Sequence, residues 1–396
     1  VTLKVEPSHF QRDVNLPGSK SHANRFLILA ARRGEGIIIR SLPQSEDVQN
    51  LLIALRKIGL QIDGNDNVCF KNKFPECEKE NSAPIEIEVG EGGTTARFLL
   101  ALLAAGKNEY VLKMQARLSE RPWDELISVL KISGAKLNWI NNHLHIQGPV
   151  QLSELPNKIS ASRSTQFASA LKLAFHQDNY TVQPEDLKTS QAYWQMTLDC
   201  CDEIAKGDVT IPLDWSSAAY PLVFAAVTGK EVSLSDLKVD AQADSFLYEL
   251  LHERGAISQH GRTIKCVGLK TFQPLDLSIA PFPDLSIALA YLCSHLEGKS
   301  YLRDVSVLRH KESDRLQAIL DLLKQVEIKA HYNDKADVLE IVGGHPHPPA
   351  NLIVPADHRL VMVGTLFLMK SGGTISHSYA VKKSFPHFFD QIIREQ

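Results

Sequence analysis

Eight basic residues stand where short segments of this chain open: Lys20, Arg25, Arg97, Arg121, Lys311, Arg315, Arg359 and Lys383. In LPGSKSHANR, Ser21 and Arg25 are four apart and share one face of a helix, with Lys20 beside them. They could hold a carboxylate or a phosphate; an ordinary helix cap with surface charges is the competing reading. The GxxxxGKS spacing of a nucleotide P-loop is absent. GEGGTTAR joins two consecutive glycines, which allow close backbone approach to a ligand, to the hydroxyl of Thr94 and the charge of Arg97. Arg121 stands just before a helix in LSERPWDE, where solvated surface is the plainer reading. In RHKESDR, Lys311 and Arg315 share a helix face if the helix begins this early. Glu312 lies among these cations as a salt-bridge partner or as an acid/base group beside bound anions. DHR (357–359) and KKSFP (382–386) add Arg359 and Lys383.

Charge arithmetic narrows the ligand. Two phosphates plus two carboxylates carry roughly −5 to −6 near neutral pH. Eight cations suit a pair of phosphorylated carboxylic acids and are excessive for a neutral ligand.

The elements that must position these residues recur. Six times a Gly- or Ser-rich or polar opening leads into a short apolar helix: 18–31, 92–105, 162–175, 214–227, 282–295 and 357–370. Small and hydroxyl residues there would leave free N–H groups and the positive helix end facing outward, an anion-binding arrangement. A second, amphipathic helix is expected after each. Residues 122–135 align Trp123, Leu126, Ile127 and Leu130, and residues 314–326 align Leu316, Ile319, Leu320 and Leu323. Pro122 and Asp124 suit a first helical turn. Gly59, Gly134 and Gly255 fall where second helices should end, ahead of the strand-like runs 60–63, 136–140 and 256–259. FLILAA and FLLALLAA are apolar all round and should be buried on every side. Openings recur roughly every 70 residues within each half of the chain, so three repeats, a boundary and three more repeats are expected. Residues 16–212 would form the first domain, and 1–15 plus 213–396 the second. Hinge crossings are expected near 14–18 and 209–215, with the binding site in the cleft. The segment VTLKVEP could pair with either half.

Composition sets exclusions. The 396 residues carry net charge −3 and are 44% hydrophobic, an ordinary globular balance with no basic excess to imply nucleic acid. No signal-peptide pattern or membrane-spanning apolar run occurs. The six cysteines form no CxxC pair and read as reduced thiols of a cytoplasmic protein, without structural zinc or disulfides. GGHPHPPA (343–350) reads as a Pro-rich surface loop.

Together these motifs resemble the 5-enolpyruvylshikimate-3-phosphate (EPSP) synthase family. The matching pieces are LPGSKSHANRFLILAA, SEDV (45–48), GGTTAR, ERPWDELISVLKISGA, STQF (164–167), the PD of FPDLSIA, HKESDRL, DHRLVM and KKSFPHFF. They span nearly the whole chain in the family's order. The resemblance implies an α/β fold: a two-domain inside-out α/β barrel, each domain three βαβαββ repeats, with the active site in the interdomain cleft. It implies enolpyruvyl transfer from phosphoenolpyruvate to the 5-hydroxyl of shikimate 3-phosphate, in a monomer with no metal or cofactor. By family pattern Lys20, Gly93, Arg121, Gln166, Arg315, Arg359 and Lys383 would hold phosphoenolpyruvate. Lys20, Ser21, Arg25, Ser164, Thr165, Gln166, Ser190, Tyr193, Asp284 and Lys311 would hold shikimate 3-phosphate. Asp284 would be the base and Glu312 the acid, with Lys20 a third catalytic group. Gly93 and Thr94 match the pattern sensitive to glyphosate.

Departures are specific. Glu91 stands where the family has Asn, Phe98 where Pro is common, Thr165 for Ser and Val307 for an Asn of some members. SQAY (190–193) lacks the basic residue that often follows its Ser, and the chain is short for the family. Two rival readings remain. One is the enolpyruvyl transferase of UDP-N-acetylglucosamine, whose reactive loop Cys has no counterpart in 106–122. The other is a diverged homologue without turnover.

Overall fold

The computed structural model describes residues 1–34, 36–79, 83–187 and 189–392. The chain forms two compact units: Gly18–Pro212, here the middle unit, and Val1–Pro17 with Leu213–Gln396, here the split unit.

Each unit is organised around its apolar first helices. In the middle unit Lys20–Arg33, Gly93–Leu103 and Gln166–Ala174 pack on one another, and every residue of Phe98–Leu103 is buried. In the split unit Trp215–Thr228, Ser286–Ser294 and His358–Ser371 do the same. A helix apolar on all sides has no face to give to water, so three of them assemble the core. The second helices are one-sided. Asp124–Ile132 buries Leu126, Ile127, Val129 and Leu130, and Arg315–Gln325 buries Leu316, Ile319, Leu322 and Leu323. Burying each such side chain contributes about 2 kcal/mol. Pro122 lies outside its helix, which Trp123 opens.

The strands form small sheets with a shared plan. In the second repeat Ile85–Glu88 runs parallel to Glu109–Lys113, which pairs antiparallel with His143–Gln147, itself paired with Lys136–Ile140. The fifth repeat copies this with Asp276–Ser278, Gly298–Arg303, Val338–Gly343 and Lys329–Asn333. The positive φ of Gly134, 103°, turns the chain from helix to hairpin.

The other repeats depart from βαβαββ. The first takes its leading strand from the far end of the middle unit, where Val209–Thr210 pairs with Ile39 and Arg40. Among the described residues the third keeps only the parallel pair Lys158–Ser160 and Gln183–Glu185. The leading strand of the fourth is reduced to a bridge between Asp13 and Ser233. In the sixth, Leu3–Val5 pairs antiparallel with Gly373–Ile375, so VTLKVEP belongs to the split unit. No second α-helix follows there among the described residues. Two short 3-10 turns, Ser378–Lys383 and Phe389–Gln391, replace the expected helix, because Pro386 and the bulky Phe385, Phe388 and Phe389 pack as a cluster instead.

Candidate active site

The three apolar helices of the middle unit are capped by Ser19, Gly92 and Thr165 and carry no acidic residue in their own first turns, although the Asp47 carboxylate lies against Gly92. Lys20 projects from the first of these, and its Nζ lies 2.7 Å from Asp47 Oδ2. Asp47 is held in turn by the second helix, Glu46–Lys57, and its carbonyl accepts from the buried Thr95 hydroxyl. Arg25 is buried. Its Nε donates to Thr197 Oγ1 at 2.9 Å, and its Nη atoms donate to the carbonyls of Ser21 and Tyr193. Arg25 therefore ties the Ser21 turn to the helix Gln191–Ala205, which Ser190 opens from a left-handed conformation at φ 62°. Ser164 Oγ accepts from Gln166 N.

The Gln166 amide is fixed at both ends. Its Oε1 accepts from Arg97 Nη1 at 2.5 Å, and its Nε2 donates to Thr94 Oγ1 at 3.0 Å. Arg97 is only 2% exposed, sandwiched against the rings of Trp123 and Phe167, and also bonds the Pro122 carbonyl. Burial and stacking thus make Arg97 a support for Gln166. Arg121 differs. Its Nε and Nη1 are buried without a hydrogen-bond partner among the described residues. Its guanidinium lies over Gly93, where an added Cβ would sit 2.6 Å from Nη1. Unpaired buried donors of a cation are costly unless an anion supplies acceptors.

Openings of the split unit reverse the pattern. Each carries its own carboxylate: Asp214, Asp284 and Asp357. Asp214 accepts from Ser217 N and Oγ, and Asp357 from Arg359 N. Asp214 and Asp357 therefore occupy their own helix ends as internal anions, so not all six openings are outward-facing anion sites. The acids recruit cations instead. Asp284 Oδ1 meets Arg315 Nη1 at 2.9 Å and Lys311 Nζ at 3.2 Å, and its Oδ2 meets Arg359 Nη2 at 3.3 Å. Arg315, 1% exposed, also reaches Asp357 through Nε and Glu312 through Nη2, each at 2.8 Å. Burial pushes the Asp284 carboxyl up, but Lys311, Arg359 and Arg315 outweigh it and hold it well below the usual carboxylate range. Asp284 is therefore ionised.

Lys311 and Arg315 do not share a helix face. Lys311 closes the 3-10 turn Val305–His310, and Asp314 caps a separate helix that starts at Arg315. Their convergence on Asp284 is tertiary. Lys383 is buried in the turn that ends the sixth repeat.

A family model described as EPSP synthase (3-phosphoshikimate 1-carboxyvinyltransferase) matches residues 5–206 and 186–392. The chain belongs to the EPSP synthase family. A 3-phosphoshikimate 1-carboxyvinyltransferase of Thermococcus kodakarensis is 31% identical, with 96% of each chain covered. One of Vibrio campbellii is 28% identical, covering 99% of this chain and 98% of the relative. The fold is shared with an EPSP synthase structure from Acinetobacter baumannii at TM-score 0.75 and 22% identity, covering 98% of this chain and 97% of that one. It is also shared with the enolpyruvyl transferase NikO from Streptomyces tendae at TM-score 0.74 and 13% identity, covering 99% and 96%. Among structures of the EPSP synthase fold, the two-domain inside-out α/β barrel is the architecture this chain adopts.

Asp47 and Asp357 escaped the sequence reading. SEDV and DHR carry them, but an acid before a helix reads as a cap or a dipole partner. Only the fold reveals that each also holds a cation of the site. Among the described residues no group of three or more His, Cys, Asp or Glu could hold a metal ion, and no helix is long and apolar enough to cross a membrane.

Proposed function

We propose that this chain transfers the enolpyruvyl group of phosphoenolpyruvate to the 5-hydroxyl of shikimate 3-phosphate and releases phosphate. The observation that carries the reading is the ionised Asp284 gripped by Lys311, Arg315 and Arg359, with Glu312 on the same arginine. The chemistry needs an acid and a base. A proton added to carbon 3 of phosphoenolpyruvate makes carbon 2 electrophilic. The 5-hydroxyl oxygen then bonds carbon 2 and gives up its proton. Loss of phosphate and of a carbon-3 proton restores the double bond. In this reading Glu312 delivers and recovers the carbon-3 proton, and Asp284 accepts the hydroxyl proton.

The surrounding charge explains how Asp284 becomes basic. Alone, the three cations make it a poor proton acceptor. Anionic substrates would divide the cations' field and raise its proton affinity when both reactants are present. Arg121, with buried unpaired donors, suits an anionic group over Gly93, and Gln166 is already oriented. Lys20, Gly93, Arg121, Gln166, Arg315, Arg359 and Lys383 are proposed to bind phosphoenolpyruvate. Ser21, Arg25, Ser164, Thr165, Ser190, Tyr193 and Lys311 are proposed for shikimate 3-phosphate, shared with Lys20, Gln166 and Asp284. The cations would hold the reactants in register and stabilise the tetrahedral intermediate. The six free cysteines support a reducing compartment, and a cytoplasmic monomer is the proposed form. The test is phosphate release with both substrates and with each omitted. Release that requires both supports the reading; none with both present overturns it.

A further inference from the structure

Two joining segments of the middle unit carry the groups proposed for the two substrates. Residues 161–165, with Ser164 and Thr165, link the strand Lys158–Ser160 to the helix Gln166–Ala174 and belong to neither. Residues 120–123, with Arg121, link the short helix Ala116–Ser119 to the helix Asp124–Ile132. Joining segments are the more mobile parts of a fold, so side chains must fix their place. Two arginines do so here. In the interior Arg97 bonds Gln166 Oε1 at 2.5 Å and the Pro122 carbonyl at 2.7 Å. At the surface Arg163, which is not among the eight cations above, reaches across to the other segment's helix. Its Nε donates to Glu125 Oε1 at 2.6 Å, and its Nη2 donates to Glu125 Oε2 at 2.7 Å and to Asp124 Oδ2 at 2.9 Å.

Stability does not account for this fork. The Arg163 side chain is 43% exposed and that of Asp124 82%, and exposed ion pairs add little to folding. Asp124 and Glu125 already suit the first turn of their helix without a cation. What the fork adds is geometry, because a bidentate guanidinium–carboxylate pair fixes distance and plane together. Ser164 and Thr165 lie between Arg163 and Gln166, and Arg121 stands three residues before Asp124. The Arg121 guanidinium lies over Gly93, and Gln166 bonds the neighbouring Thr94. A shift of residues 162–166 therefore reaches Arg121 through the Arg163 fork and reaches Thr94 through Gln166.

We propose that Arg163, clamped on Glu125 and Asp124, is a positioning residue that couples the two substrate sites: an anion seated on Ser164 and Thr165 sets the place of Arg121 and prepares it for the second anion. This rests on the reading of Ser164 and Thr165 as contacts of shikimate 3-phosphate and of Arg121 as a contact of phosphoenolpyruvate. Arg163 spends its own donors on the carboxylates and acts through Arg121. Coupling of binding is reciprocal, so each substrate raises the affinity for the other by one common factor.

Initial rates of phosphate release over a grid of both substrate concentrations measure that factor in the full chain, as the drop in KM for phosphoenolpyruvate when shikimate 3-phosphate becomes saturating. Arg163→Gln is expected to reduce the factor about tenfold while changing kcat far less. Glu125→Gln should lose much of the same factor, and the double variant no more than Arg163→Gln alone, since one interaction is removed twice. Arg163→Lys keeps the charge without the fork and should behave as Arg163→Gln. A factor of one in the wild type, a retained factor in Arg163→Gln or Arg163→Lys, or additive losses in the double variant would each overturn the proposal. So would a rise in both KM values with the factor kept, the mark of a loosened segment or of direct contact with substrate. If Arg163→Gln does not fold, the same factor in Glu125→Gln decides. Wild-type chain that releases no phosphate with both substrates would instead sink the functional reading itself.

Discussion

Glu312 and Asp284 are bound to one arginine, Arg315, at 2.8 and 2.9 Å. Two acids on one cation can differ in protonation when the substrates redistribute its charge. Glu312→Gln and Asp284→Asn should each lower kcat by roughly 10² to 10⁴ while changing shikimate 3-phosphate affinity far less. Steady-state rates with a separate calorimetric Kd check this; near-normal turnover in either variant removes that residue from its role. Gly93 has a different constraint. A methyl there would strike the Arg121 guanidinium, the end of a flexible side chain, which must move aside. Gly93→Ala should therefore raise the KM for phosphoenolpyruvate several-fold by shifting Arg121. It should weaken inhibition by the longer glyphosate more, since specificity is a difference of affinities. Coincident inhibition curves for wild type and variant at matched phosphoenolpyruvate saturation would show that Gly93 does not lie against the ligand.

At the scale of elements, the two units cap their apolar helices with different residues. The apolar helices of the middle unit are capped by Ser19, Gly92 and Thr165, with Asp47 against Gly92 and no acid in their own first turns. In the split unit Asp214 and Asp357 cap their helices, and Asp284 and Asp357 assemble Lys311, Arg315 and Arg359. Asp357 does two jobs: it caps its helix through Arg359 N and neutralises the buried Arg315. Stranding a buried charge by removing its partner costs about 3–5 kcal/mol. Arg315 keeps Asp284 and Glu312 when Asp357 is removed, so Asp357→Ala should lower stability in denaturant unfolding by less than that, yet by more than the roughly 1 kcal/mol of a cap alone, and also reduce turnover. A loss of about 1 kcal/mol or less would mean that Asp284 and Glu312 suffice to balance Arg315.

For the whole molecule, charge is divided between the units. The middle unit carries Lys20, Arg25 and Arg121. The split unit carries Lys311, Arg315, Arg359 and Lys383, partly offset by Asp284, Glu312 and Asp357. Neither set alone offsets the roughly −5 to −6 of two phosphorylated carboxylic acids. Joint binding should therefore draw the units together. Small-angle scattering should show a smaller radius of gyration with both ligands than with neither. An unchanged radius, starting from a ligand-free state shown to be open, would count against closure.

The sequence by itself determined the repeating plan. FLILAA and FLLALLAA are apolar on every side, and burial is the only low-energy fate of such helices; the buried faces of Asp124–Ile132 and Arg315–Gln325 followed from i, i+3, i+4 spacing. Nine motifs in order made the family legible, because chemistry fixes residue types locally. Partnership among charges was not legible. Arg97 and Arg121 both look like cations of a helix opening, but one is stacked between Trp123 and Phe167 and the other keeps donors without a partner among the described residues. Asp357 looks like a cap and is also a counter-ion. Lys311 and Arg315 look helically paired, yet meet only because a 3-10 turn and a helix start converge on Asp284. Hydrophobic periodicity is a property of neighbours along the chain. The proton affinity of a carboxyl depends on which distant charges the fold brings within a few ångströms, and that was decided by tertiary structure alone.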